Sequence, residues 1–92
     1  MDIQTLKQTP SVSSLTTEHL RALWFDLHDD WDAAHKIVQA LSDVNAMWIH
    51  AYLHRKEPDL SNARYWYRSA GKLFPDGQSY AEEAAIILAA LS

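Results

Sequence analysis

The chain has 92 residues, of which 48% are hydrophobic and 22% are charged, as in an ordinary small globular domain. It contains no cysteine, which excludes disulfides and thiolate metal sites and suits a reducing compartment. No apolar run is long enough to span a bilayer, and the start has no apolar segment of signal-peptide length. We therefore expect a soluble, cytoplasmic protein.

The net charge of −4 is unevenly distributed along the chain. Residues 1–45 carry three Lys or Arg against seven Asp or Glu, and residues 73–92 carry three acidic groups and no basic one. The centre, residues 46–72, carries five basic groups against two acidic ones. A basic centre between acidic flanks predicts either contact with an anionic partner or internal pairing between the three parts.

The first predicted elements lie in the acidic amino-terminal half. Residues 1–14 are polar and rich in Ser, so we expect a flexible arm ahead of a single helical domain at residues 15–92. Thr16 or Thr17 can cap a first helix, which the spacing of apolar residues extends to about His28.

Three further helices follow in the sequence. Asp30 caps a helix from Trp31 to about Leu41, and another runs from about Val44 until Pro58 disfavours helical geometry at the preceding residue. Asp59 or Ser61 caps the next helix, for which Gly71 supplies a left-handed stop. No segment alternates with the period of a strand, so the chain is predicted to be all-α.

A final helix is predicted by the capping box of Ser79 and Glu82, and it extends to about Leu91. This helix is apolar on nearly every side and must therefore be covered. It could close the domain as a cap, or it could seal a homodimer.

The helices also form a weak internal repeat with a period of 29 residues, which aligns Asp30 with Asp59. The second unit resembles a tetratricopeptide-type helical hairpin, because small and aromatic residues fall at the spacing of that repeat. These residues are Ala51, Ala63, Tyr67, Ala70 and Pro75. We predict four to five short helices that form two degenerate tetratricopeptide-like hairpins and a C-terminal closing helix.

A closer resemblance is carried by the segment from Trp48 to Gly71, WIHAYLHRKEPDLSNARYWYRSAG. It is similar to the shared core of a family of small bacterial proteins of unassigned activity, W-x-H-A-Y-L-H-R-x-E-x-D-x-x-N-A-x-Y-W-Y-R-x-A-G. The resemblance extends over about residues 31–91. It implies an all-helical fold and leaves the function open.

The first candidate site is a stripe on the predicted third helix, in which Trp48 and Tyr52 are followed by Arg55 and Lys56. Two aromatic rings followed by two cations form a surface suited to binding an acidic or carboxylate-bearing protein or peptide. Arg64 and Arg68 lie nearby on the next helix and extend the predicted partner-binding surface. The alternative is that Trp48 and Tyr52 pack in the core, with Arg55 and Lys56 in solvent.

The second candidate site is metal-binding. His50 and His54 are one helical turn apart and Glu57 follows three residues later, so the three side chains can share one face and reach one ion. The alternative is that both histidines pack at a helix interface. The acidic segment Asp26–His35 lacks the oxygen spacing and the glycine of a calcium loop, and helix capping explains Asp30.

Other classes of function find less support in the sequence. Arg64, Arg68 and Lys72 form a basic stripe, but an acidic chain without a nucleic-acid motif does not favour nucleic acid as a partner. No nucleophile motif and no glycine-rich phosphate loop is present, so nothing in the sequence demands an enzymatic activity or a cofactor, and the pair of His50 and His54 leaves an activity open. The sequence favours a small helical protein–protein interaction module, with binding of a metal or small molecule at His50, His54 and Glu57 as the alternative.

Overall fold

The computed structural model describes all 92 residues and consists of six α-helices without a strand. The helices are α1 (Ile3–Gln8), α2 (Glu18–Leu27), α3 (Trp31–Gln39), α4 (Val44–Lys56), α5 (Leu60–Ser69) and α6 (Tyr80–Ala90), with a 3-10 turn at Val12–Ser14. The prediction of an all-α protein is confirmed, but the predicted number of four to five helices was too low because it did not include α1. None of the helices combines the length and the apolar character needed to cross a membrane.

The helix boundaries follow from the side chains that cap them. Thr17, Asp30 and Asp59 each accept a hydrogen bond from a backbone N–H in the first turn of the helix they precede. Ser79 and Glu82 form the reciprocal bonds of a capping box at the start of α6. Gly71 has a φ of 70° after α5, a conformation that costs glycine nothing. These predicted boundaries are confirmed.

Helix α4 lies at the centre of the molecule and packs against α2, α3, α5 and α6. Nine of its 13 residues are buried, which is why its sequence has no polar face. Ala51 of α4 and Ala63 of α5 are both fully buried, and their small side chains allow helices to approach closely. The tetratricopeptide-like arrangement of hairpins stays a prediction.

The first 14 residues have more structure than a flexible arm. Asp2 caps α1, and Leu6 of α1 is fully buried in the core. The indole N–H of Trp24 in α2 donates to the carbonyl of Thr9 over 2.8 Å, and His28 Nε2 lies 2.9 Å from the carbonyl of Lys7. The amphipathic pattern of α1 is one turn and a half long, which is too short to identify it by periodicity.

Helix α6 buries one face and leaves the other in solvent. Ala84, Ile87 and Leu88 lie in the core, while Tyr80 is 44% exposed and Ile86 is 46% exposed. The buried face packs against α1, α2 and α4 and so covers part of the core, as expected of a closing helix. A homodimer through the exposed face stays a prediction.

Candidate metal site

Three of the five histidines meet between α3 and α4, and we call them the histidine cluster: His35, His50 and His54. His50 and His54 lie one turn apart on α4, so both rings project from the same face. His35 reaches them from α3, with its Nε2 atom 3.1 Å from Nε2 of His50. One ring nitrogen of each histidine lies within 4.8 Å of those of the other two.

Two tryptophans hold the rings of the cluster in place. The Trp31 ring stacks on His35 with their centroids 4.7 Å apart and their planes 11° apart. The Trp66 ring stacks on His50 at 4.1 Å and 16°. Trp31 is itself fixed, because its indole N–H donates to the carbonyl of Leu53 over 2.7 Å. The imidazoles therefore occupy defined positions with little freedom to rotate.

A carboxylate orients the third ring. His54 Nδ1 lies 2.7 Å from Oε1 of Glu57, the C-cap residue directly after α4. A neutral imidazole that donates from Nδ1 keeps its lone pair on Nε2, which is the nitrogen then available to a metal ion. Glu57 also belongs to a second group of close ligand atoms, which His54 and Asp59 complete.

Burial favours the neutral form of two rings of the cluster, His35 and His50. Desolvation, followed by the neighbouring His35 and His54, lowers the pKa of His50 to about 4. Desolvation and the nearby His54 also lower the pKa of His35. Neutral imidazole is the species that coordinates a metal ion, so these two rings are already deprotonated at neutral pH.

One pair of ring nitrogens in the cluster is spaced close to what a tetrahedral ion requires. Zn–N bonds of about 2.0–2.1 Å at tetrahedral angles place ligand nitrogens about 3.3 Å apart. The 3.1 Å between Nε2 of His35 and Nε2 of His50 is within a few tenths of an ångström of that separation. An ion would replace the hydrogen bond between these two atoms, since both lone pairs would then point at it.

The structure brings two of the three predicted metal ligands together and adds a third histidine. The ring centroids of His50 and His54 lie 4.9 Å apart, whereas Glu57 contacts Nδ1 of His54 and belongs to a separate group of close ligand atoms. The residue that sequence reasoning missed is His35. The sequence does contain a signal for His35. The turn between α3 and α4 is centred between Ser42 and Asp43, so positions 35 and 50 are equally far from it and lie opposite each other in an antiparallel helix pair.

The predicted partner-binding stripe on α4 lies mostly inside the protein. Trp48 is 8% exposed and Tyr52 is 1% exposed, as in the alternative that placed them in the core. Arg55 is also buried and donates to Glu83, while Lys56 Nζ lies 2.7 Å from Asp26 Oδ1. That alternative also expected Arg55 and Lys56 to lie in solvent, and this was wrong. Helices α6 and α2 cover α4 and supply the carboxylates that pair with them.

The other two predicted partner-binding residues lie on the surface. Arg64 and Arg68 are exposed on α5, and neither forms an ion pair. They lie on a helix that neighbours α4 but do not join Arg55 or Lys56 in one patch, since those two point to α6 and α2.

Comparisons with protein-family models, with curated proteins and with solved structures find no match to this chain. The resemblances to a small bacterial family and to tetratricopeptide hairpins stay predictions.

Proposed function

We propose that this protein is a small helical module that binds one divalent transition-metal ion, with zinc as the first candidate. His35, His50 and His54 would be the ligands, and Glu57 would orient His54 through Nδ1. The observation that carries the proposal is the convergence of three ring nitrogens from two helices to within 4.8 Å of one another.

The donor set supports an ion of the zinc class. Imidazole nitrogens suit zinc, copper and nickel, whereas magnesium and calcium prefer oxygen ligands. Metal-ligating histidines almost always donate their other ring N–H to an acceptor, and the bond between His54 and Glu57 is of this kind. Three protein nitrogens leave one position of a tetrahedral ion for water or another ligand.

Isothermal titration calorimetry of the tag-free protein with zinc sulfate tests the proposal. We expect one ion per chain for the wild type, and loss of binding in His50→Gln and in His54→Gln. Glu57→Gln should weaken binding by about 10- to 100-fold, because the orienting carboxylate is lost.

The two histidines outside the cluster provide matched controls. His19 contacts Asp43, and His28 contacts the Lys7 carbonyl, so neither takes part in the cluster. His19→Gln and His28→Gln should bind zinc as the wild type does. The proposal is wrong if these controls lose binding as much as the cluster variants, or if the wild type binds neither zinc, copper nor nickel stoichiometrically.

A further inference from the structure

An exposed basic surface on α5 and the loop after it has no acidic counterpart in the structure. Residues 60–74 contain Arg64, Arg68 and Lys72 and no carboxylate, and all three side chains are exposed. None of the three lies within 4.0 Å of an acidic oxygen, whereas Arg21, Arg55 and Lys56 are all paired. Three positive charges without an ion-pair partner thus lie within residues 60–74 of a protein whose net charge is −4.

Two exposed hydrophobic side chains, Tyr65 and Leu73, are adjacent in sequence to these cations. Tyr65 is 54% exposed, and it lies beside Arg64 and one turn before Arg68 on the outer side of α5. Leu73 is 93% exposed, the highest value of any large hydrophobic residue in the chain. We call this surface the basic face, and it consists of Arg64, Tyr65, Arg68, Lys72 and Leu73.

Two of the cations are held against aromatic rings. The Arg64 guanidinium carbon lies 4.5 Å from the centre of the Phe74 ring, and Lys72 Nζ lies 4.3 Å from the Trp48 ring. Such contacts restrict long side chains without neutralising their charge. A partner that binds here therefore loses less of its binding energy to the ordering of these side chains.

From this combination we propose that the basic face binds an acidic peptide segment of a partner protein. Carboxylates of the segment would pair with the guanidinium groups of Arg64 and Arg68, whose planar donors match them in two-point contacts. An apolar side chain of the segment would lie on Tyr65 and Leu73. This inference is independent of the metal site, since no ligand of that site belongs to the basic face.

The charge distribution favours a peptide over a nucleic acid. A nucleic-acid surface neutralises many phosphates along a backbone and typically belongs to a basic domain. Here only three cations are present, the sequence pI is about 5.6, and Asp59 and Asp76 lie just before and just after the basic segment. The exposed Leu73 suits an apolar side chain and offers nothing to a phosphate.

Fluorescence anisotropy with a pool of labelled synthetic peptides tests the proposal. The peptides are short, and in each of them Asp and Glu surround one Leu, Phe or Trp. We expect binding to the wild type that weakens as salt is added. Arg64→Glu/Arg68→Glu should weaken it by at least about tenfold, because two-point contacts become repulsive.

The matched control is Lys7→Glu/Lys36→Glu, which makes the same change in net charge at two exposed, unpaired lysines on other helices. This variant should keep most of the peptide binding. Circular dichroism first establishes that both variants retain the wild-type helix content. Equal losses in the two variants, no binding of the pool to the wild type, or binding of an oligonucleotide but not of the peptides would each overturn the proposal.

Discussion

Each ring of the histidine cluster is held by a different neighbour. Trp31 covers His35, Trp66 covers His50, and Glu57 bonds to His54. No fully buried side-chain nitrogen or oxygen in the protein lacks a hydrogen-bond partner, so the fold without an ion leaves no such atom unsatisfied. Protonation of His35 or His50 nevertheless costs free energy, because the added proton enters a poorly solvated site.

That cost predicts how the metal-free protein responds to acid. In the unfolded chain a histidine takes up its proton near pH 6.5, but His50 in the folded protein has a pKa of about 4. Between these values the unfolded state binds the extra proton, so stability is full above pH 6.5 and falls as the pH drops towards 4. For one proton the slope is about 1.4 kcal/mol per pH unit.

Urea denaturation of metal-free protein at a series of pH values measures this effect. The difference in unfolding free energy between wild type and His50→Gln should shrink as the pH falls below 6.5, because the variant lacks the group that titrates. Proton NMR gives a direct check through the midpoint of the His50 ring signal. A midpoint near 6.5 would mean that the ring is solvated and that the cluster is not formed as described.

The histidine cluster also marks the limit of prediction at the residue scale. The i, i+4 pair of His50 and His54 is a local pattern and could be read directly. His35 depends on how α3 folds back on α4, and a single short turn had to be recognised as the centre of an antiparallel pair. The buried carboxylates of Asp26 and Glu83 had no local signal at all, since acidic residues are mostly exposed.

At the scale of elements, Glu83 joins α6 to the centre of the protein. Its carboxylate is 2% exposed and accepts hydrogen bonds from Trp48 and Arg55 of α4. The Tyr67 hydroxyl of α5 lies 2.7 Å from Oε2 of Glu83. Burial and this carboxylate raise the pKa of Tyr67, so its hydroxyl remains a donor. Helices α4, α5 and α6 thus meet at the buried carboxylate of Glu83.

We predict that Glu83→Ala destabilises the protein by about 3–5 kcal/mol, because Arg55 would remain buried without its carboxylate. The double variant Arg55→Leu/Glu83→Leu should recover much of this loss, since it removes both charges and fills the space with apolar groups. Urea denaturation of the wild type, the single variant and the double variant measures their free energies of unfolding.

The neighbouring residue Glu82 is the control for that prediction. It is exposed, and its role is the capping box with Ser79, so Glu82→Ala should destabilise the protein much less than Glu83→Ala does. If Glu82→Ala were as damaging as Glu83→Ala, the buried ion pair would not be what holds α6 in place.

The helix caps show why element boundaries were easier to predict than element contacts. Asp30, Asp59 and Ser79 act on the turn directly after them, so sequence spacing alone identifies them. The burial of Trp48 and Tyr52 depends instead on α2 and α6 covering both sides of α4. Helix α4 is central, and a central helix shows no amphipathic stripe from which its partners could be inferred.

For the molecule as a whole, the proposed ion would connect helices that come from different parts of the chain. The cluster joins α3 to α4, and α5 contacts it through Trp66, which stacks on His50. In the unfolded chain His35 is not held near His50 and His54, so an ion that needs all three binds the folded state alone. Such selective binding raises stability by mass action.

We therefore predict that zinc raises the melting temperature of the wild type. At a free zinc concentration about 100 times the dissociation constant, the folded state gains about 2.7 kcal/mol. For a domain of this length that corresponds to a rise of about 10 to 20 °C, which differential scanning calorimetry resolves. His54→Gln should melt at the same temperature with and without zinc, whereas His19→Gln should show the wild-type rise. Calorimetric binding of zinc without any rise in the wild type would place the ion on ligands that the unfolded chain offers equally well, and the histidine cluster would then not be its site.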